Sequence, residues 1–136
     1  MKRIDSFFYG LFMDADILHQ SEVVARDPRR AYVDGYALRI GQRATLVPDM
    51  GARAYGMVFS LTQDDLDRLY NPPGLEDYRP QALLAQILEG DPRPVVCYIL
   101  PEKLQADERN EDYAARLQAT LERLGFPPDA YCARAG

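Results

Sequence analysis

Residues 54–69 read AYGMVFSLTQDDLDRL, and the fold turns on how this stretch divides. Over its first half the side chains alternate. Ala54, Gly56, Val58 and Ser60 fall on one side, and Tyr55, Met57, Phe59 and Leu61 on the other, which is the period of a strand. At Thr62 the period changes. Thr62-Gln63-Asp64-Asp65 has the form of a capping box, with an acid in place of the usual glutamate three residues after the threonine. Leu66 and Leu69 continue as a helical stripe, and Asn71-Pro72-Pro73-Gly74 ends it. A strand therefore runs straight into a short helix.

Upstream, residues 3–9 read as a first strand rich in Ile, Phe and Tyr. Its end, FFYGLFMD at residues 7–14, sets a glycine inside an apolar run. A glycine there means a bulge, a close backbone approach, or a loop that holds a ligand. Asp14 or Asp16 caps an expected helix over residues 15–24, with Ile17, Leu18 and Val24 on its apolar side. Residues 35–40 alternate as a strand, and 44–48 form another short one before a turn at Asp49-Met50-Gly51.

Downstream, residues 81–88 favour helix on propensity alone. The turn signal Glu89-Gly90-Asp91-Pro92 and the strand-like residues 94–100 argue instead for two antiparallel strands. A final helix is expected over residues 107–124, with Tyr113, Leu117, Leu121 and Leu124 as its stripe and Gly125 as its stop. Strands outnumber helices without regular alternation. The expected class is α+β: a small mixed, mainly antiparallel β-barrel with short peripheral helices, in one domain spanning residues 1–136.

With 136 residues, 47% of them hydrophobic and 27% charged, the chain is long enough to enclose one core. Sixteen Lys and Arg against 21 Asp and Glu leave a formal charge of −5. An acidic surface repels phosphate backbones, which argues against nucleic acid as a partner. The one basic cluster, Arg26, Arg29 and Arg30, reads as a solvated loop. No segment is long and apolar enough to cross a bilayer, and the start lacks the apolar core of a signal peptide. The expected compartment is the cytoplasm. Cys97 reads as a buried strand residue and Cys132 as a more exposed tail residue. His19 is the one histidine and reads as a surface residue. It makes no zinc site with two scattered cysteines, so no metal is expected.

Taken in order, these pieces resemble a known family. An aromatic strand ends in Tyr9-Gly10. Asp34-Gly35-Tyr36-Ala37-Leu38, the Ala54 to Leu61 strand, Asp64 to Leu69, Gly74 and Tyr78-Arg79 follow. The set resembles the gamma-glutamylcyclotransferase-like fold, which includes the avirulence-induced-gene-like proteins. The likeness covers about residues 7–100, and residues 112–131 are similar to the tail of some members.

The resemblance implies a cavity floored by the Tyr-Gly loop, so Tyr9, Gly10, Leu11 and Phe12 are the expected substrate-binding positions. Leu11 and Phe12 are bulkier than the family's usual residues, which narrows the cavity or makes it more apolar. Tyr78 either bonds a substrate carboxylate or packs with its hydroxyl satisfied. The implied chemistry is cyclisation of a gamma-glutamyl group by its own α-amine, releasing 5-oxoproline and an amine or amino acid. A glutamate serves as base and then acid. Neither metal nor organic cofactor is implied, and the implied partner is a small gamma-glutamyl or amino-acid-like molecule. Aligning on Leu69 and Gly74 puts Pro73 at that glutamate. Glu76, three residues on, is then the candidate for a displaced base, and otherwise a solvated loop acid. The alternative function is an inactive module that binds a small acidic or amino-acid-like ligand.

Overall fold

The structure, a computed structural model, describes residues 2–41, 43–73, 75–100 and 110–127. Five strands close into a barrel in the order β1-β3-β2-β4-β5. They are β1 (Arg3–Phe8), β2 (Arg26–Ile40), β3 (Ala44–Thr62), β4 (Arg79–Ile87) and β5 (Arg93–Ile99). All pairings are antiparallel except the closing one, where Ser6 of β1 lies beside Val96 of β5 in parallel. Three helices pack outside: α1 (Ala15–Gln20), α2 (Gln63–Leu69) and α3 (Glu111–Arg123). The expected α+β barrel with peripheral helices is the observed fold.

Both faces of the barrel wall are buried, which is why its strands are so apolar. All five strands send residues such as Phe7, Ala31, Val33, Val58, Ala85 and Cys97 to one cluster, the lumen. The side chains are small because a five-stranded barrel has little room inside. Their neighbours Phe8, Met57, Phe59 and Leu61 meet Leu18, Leu66, Leu69, Leu117 and Leu121 from the three helices. The alternation read over residues 54–61 is therefore real: Ala54 and Val58 face the lumen, and Met57, Phe59 and Leu61 face the helices. Each buried Leu contributes about 1.5–3 kcal/mol of apolar transfer.

The capping box is formed as read. The Thr62 hydroxyl accepts from the Asp65 N–H at 3.1 Å, and the Asp65 carboxylate accepts from the Thr62 N–H at 3.1 Å. Residues 81–88 are strand: β4 pairs with β5 in full register from Arg79–Ile99 to Ala85–Arg93.

Several local expectations need correction. Residues 35–40 and the basic stretch before them are one strand, β2, and residues 44–61 are one strand, β3. The turn chemistry at Asp49-Met50-Gly51 does act, since the Asp49 carboxylate accepts from the Gly51 N–H at 3.2 Å. It produces a bulge, not a reversal. Asp34 pairs with Arg53 and Tyr36 with Pro48, so four β3 residues stand opposite Gly35 alone. Arg29 and Arg30 are not in a solvated loop. They lie in β2, paired with Asp5 at 2.8 Å and Glu89 at 2.7 Å. Helix α1 ends at Gln20, because Glu22 takes a left-handed φ of 61°, and Val24 beyond it is exposed. Asp14, of the two candidates, is its cap. Helix α3 starts at Glu111 with Asn110 as cap; residues 107–109 of the expected span, and Cys132, lie outside the described residues.

Candidate functional site

The strand β1 ends at Phe8, and the chain then makes a single 3-10 turn over Leu11–Met13. The Met13 N–H donates to the Gly10 carbonyl and the Asp14 N–H to that of Leu11, each at 3.0 Å. Above this loop lies a cavity of about 400 Å³. Tyr9, Gly10, Leu11, Phe12 and Tyr78 all line it, with Phe8, Tyr70 and Leu75. From further away come Ile17 and Gln20 of α1, Arg43 and Ala44 at the start of β3, and Tyr113 and Arg116 of α3.

The walls are aromatic. Phe12 meets Phe8 edge-on at 6.1 Å and Tyr70 edge-on at 5.8 Å. Tyr70 stacks on Tyr98 with centroids 4.1 Å apart. Two tyrosine hydroxyls are spent on the fold: Tyr9 donates to the Tyr98 carbonyl at 2.8 Å, and Tyr78 donates to the Ala44 carbonyl. Burial pushes the hydroxyls of Tyr9, Tyr70, Tyr78 and Tyr113 above the ordinary tyrosine value, so all four are neutral donors at neutral pH.

Gly10 explains itself in this setting. The Tyr113 hydroxyl accepts a hydrogen bond from the Leu11 N–H at 3.1 Å. A Cβ on Gly10 would stand 2.3 Å from that same oxygen. Of the three meanings open to this glycine, close approach is the one realised, and the group approaching is a side chain from α3. Nothing in the sequence joins Tyr113 to residue 11. It reads as one more member of the α3 stripe.

Glu76 does not join the cavity. It is exposed, as is Pro73, and neither lines the cavity; the loop between them turns Leu75 inward instead. Among the described lining residues there is no Asp or Glu, and the charged ones are Arg43 and Arg116. Arg43 pairs with Asp77 at 2.9 Å. His19 is exposed and Cys97 is buried. Among the described residues no three His, Cys, Asp or Glu side chains gather as metal ligands. A second hollow, about 950 Å³, lies along Asp5, Arg29, Arg30, Glu89 and Arg93, and none of the expected site residues borders it.

Comparison with known proteins follows this geometry. Residues 6–116 match the model of the family described as "Gamma-glutamyl cyclotransferase, AIG2-like". The chain belongs to the gamma-glutamyl cyclotransferase, AIG2-like family. Among solved structures it is similar to an uncharacterized human protein, with a TM-score of 0.78 at 16% identity over 96% of this chain and 85% of that one. It is also similar to a gamma-glutamyl cyclotransferase, with 0.77 at 16% identity over 96% and 85% of the two chains. A yeast gamma-glutamyl cyclotransferase specific to glutathione gives 0.68 at 13% identity over 95% and 91%. At such identities the likeness is one of fold. A search of curated proteins returns no match. Within this gamma-glutamyl cyclotransferase-like fold, the cavity sits where β1 gives way to the Tyr9-Gly10 loop. No helix among the described residues is long and apolar enough to cross a membrane.

Proposed function

We propose that this chain is a binding member of its family: it holds a small gamma-glutamyl or amino-acid-like carboxylate at the Tyr9-Gly10 loop and does not cyclise it. One observation carries the reading. The described lining offers hydroxyl donors and two guanidinium groups, but no carboxylate to move a proton. Cyclisation requires the α-amine to lose a proton and the departing nitrogen to gain one. Neutral tyrosines with raised pKa values are poor bases for the first step. Pro73, at the position where the family resemblance puts the glutamate, has no proton to shuttle.

The competing reading is turnover with Glu76 as a displaced base, and family membership favours it. It requires the loop from Asn71 to Asp77 to swing so that Glu76 replaces Leu75 at the cavity. On either reading the chain works as one domain over residues 1–136. The compartment we assign is the cytoplasm, supported by the free, buried Cys97 thiol.

The test pairs calorimetry with product analysis on a panel of gamma-glutamyl amino acids and amines, wild type beside Glu76→Gln. The expected result is binding heat without release of 5-oxoproline. Release that vanishes in Glu76→Gln overturns the binding reading and assigns the base to Glu76.

A further inference from the structure

We infer that Arg116, one turn beyond Tyr113 on α3, is a specificity-determining residue that makes this cavity select ligands carrying a second anionic group. The inference rests on the binding reading above and extends it. Tyr113 and Arg116 are three apart, so they share a helix face, and both line the cavity. The Tyr113 oxygen already accepts from the Leu11 N–H, which leaves its own hydrogen to be donated toward a ligand. The ligand end that meets this hydroxyl and the loop is thereby fixed. Arg116 then meets whatever projects toward the mouth.

Charge sets the preference. The chain carries −5, so an anion approaching it is repelled on the whole. The described lining reverses that sign locally, with two cations and no carboxylate. These cations differ. Arg43 shares its charge with Asp77. Arg116 is exposed and forms no ion pair with a described residue, so its charge is available to an incoming anion. The second hollow makes the contrast: there Arg29, Arg30 and Arg93 are each matched to Asp5 or Glu89. A guanidinium suits a carboxylate better than an ammonium would, since it offers paired donors in one plane.

The experiment compares two ligands of the same gamma-glutamyl head, gamma-glutamylglycine and gamma-glutamylethylamine, by calorimetry at low salt. Wild type is expected to bind the glycine compound on the order of five- to tenfold tighter. In Arg116→Gln that ratio is expected to fall to about one, and in Arg116→Lys to keep most of its value. Equal affinity of wild type for both ligands overturns the inference and leaves the binding reading standing, as does a ratio untouched by Arg116→Gln. Failure of wild type to bind either ligand overturns both.

Discussion

The hydroxyl of Tyr113 sits on the backbone N–H of Leu11, 3.1 Å away, and joins positions 102 residues apart. It ties the last helix to the loop that floors the cavity. It also occupies an amide that the loop would otherwise present to a ligand. Tyr113→Phe is expected to destabilise the protein by about 1 kcal/mol, since the amide loses a partner while the ring still packs. Thermal unfolding at pH 7 checks this; an unchanged melting temperature would show that water replaces the hydroxyl without loss.

Gly10 and Gly56 separate two kinds of crowding. A Cβ on Gly10 meets the tip of one side chain, whereas a Cβ on Gly56 would stand 2.2 Å from the Phe8 carbonyl and 2.9 Å from the Phe7 ring. Backbone in a paired strand has nowhere to go. Gly56→Ala is expected to lose at least about 2 kcal/mol, and Gly10→Ala about 1 kcal/mol together with the Leu11–Tyr113 bond. Denaturant titration of both variants gives the order, and the reverse order would refute the distinction.

Asp14 links α1 to α3. Its carboxylate caps the Asp16 N–H at 2.9 Å and pairs with Arg123 at 2.7 Å. Burial works to raise its pKa, but the Arg123 guanidinium and the capped N–H more than offset this and hold it below the ordinary aspartate value. A carboxyl lowered in the folded state stabilises above its unfolded pKa, and that contribution is lost as pH falls through the acid range. Asp14→Asn keeps a capping oxygen without the charge. The stability gap between wild type and this variant should be widest near pH 7 and close below about pH 4; a gap constant with pH would rule out the charge as its source.

Burial also pushes the Cys97 thiol up, well out of the range where thiolate forms. In a Cys132→Ser background, a thiol reagent at pH 8 should leave the native protein unmodified and label one group after denaturation. Labelling of the native state at the rate of a free thiol would show that the lumen opens readily.

The capping box at Thr62 is worth about 1 kcal/mol by the usual measure of N-caps, so Thr62→Ala should lower stability by that amount. A denaturant midpoint within error of wild type would mean α2 is held by Leu66 and Leu69 alone.

The barrel was legible because its signals are local. Period two over residues 54–61, the box at Thr62 and the Pro-Pro-Gly stop each sit within a few residues of what they determine. The long β2–β3 pairing was less legible. Asp49-Met50-Gly51 carries true turn chemistry, and only the partner strand decides that it becomes a bulge opposite Gly35. At the site, the Tyr9-Gly10 loop announced itself through an unusual glycine. Tyr70, Arg43, Tyr113 and Arg116 did not, because each reaches the cavity through tertiary packing that no short window records. Glu76 failed to reach it for the same reason: whether a loop acid turns inward depends on which neighbour packs better, and Leu75 is that neighbour.

Barrel closure has a consequence for how the protein comes to exist. The β2–β3 hairpin joins neighbours in sequence and can pair as soon as it is made. The contact that closes the ring, Ser6 with Val96, spans 90 residues, and the bond from Tyr9 to Tyr98 spans 89. Loops of that length close late, since their entropy must be lost before any contact rewards it. The cavity stands on that seam. In a growing or refolding chain, the ability to hold a ligand therefore arrives last, after most of the structure is already in place.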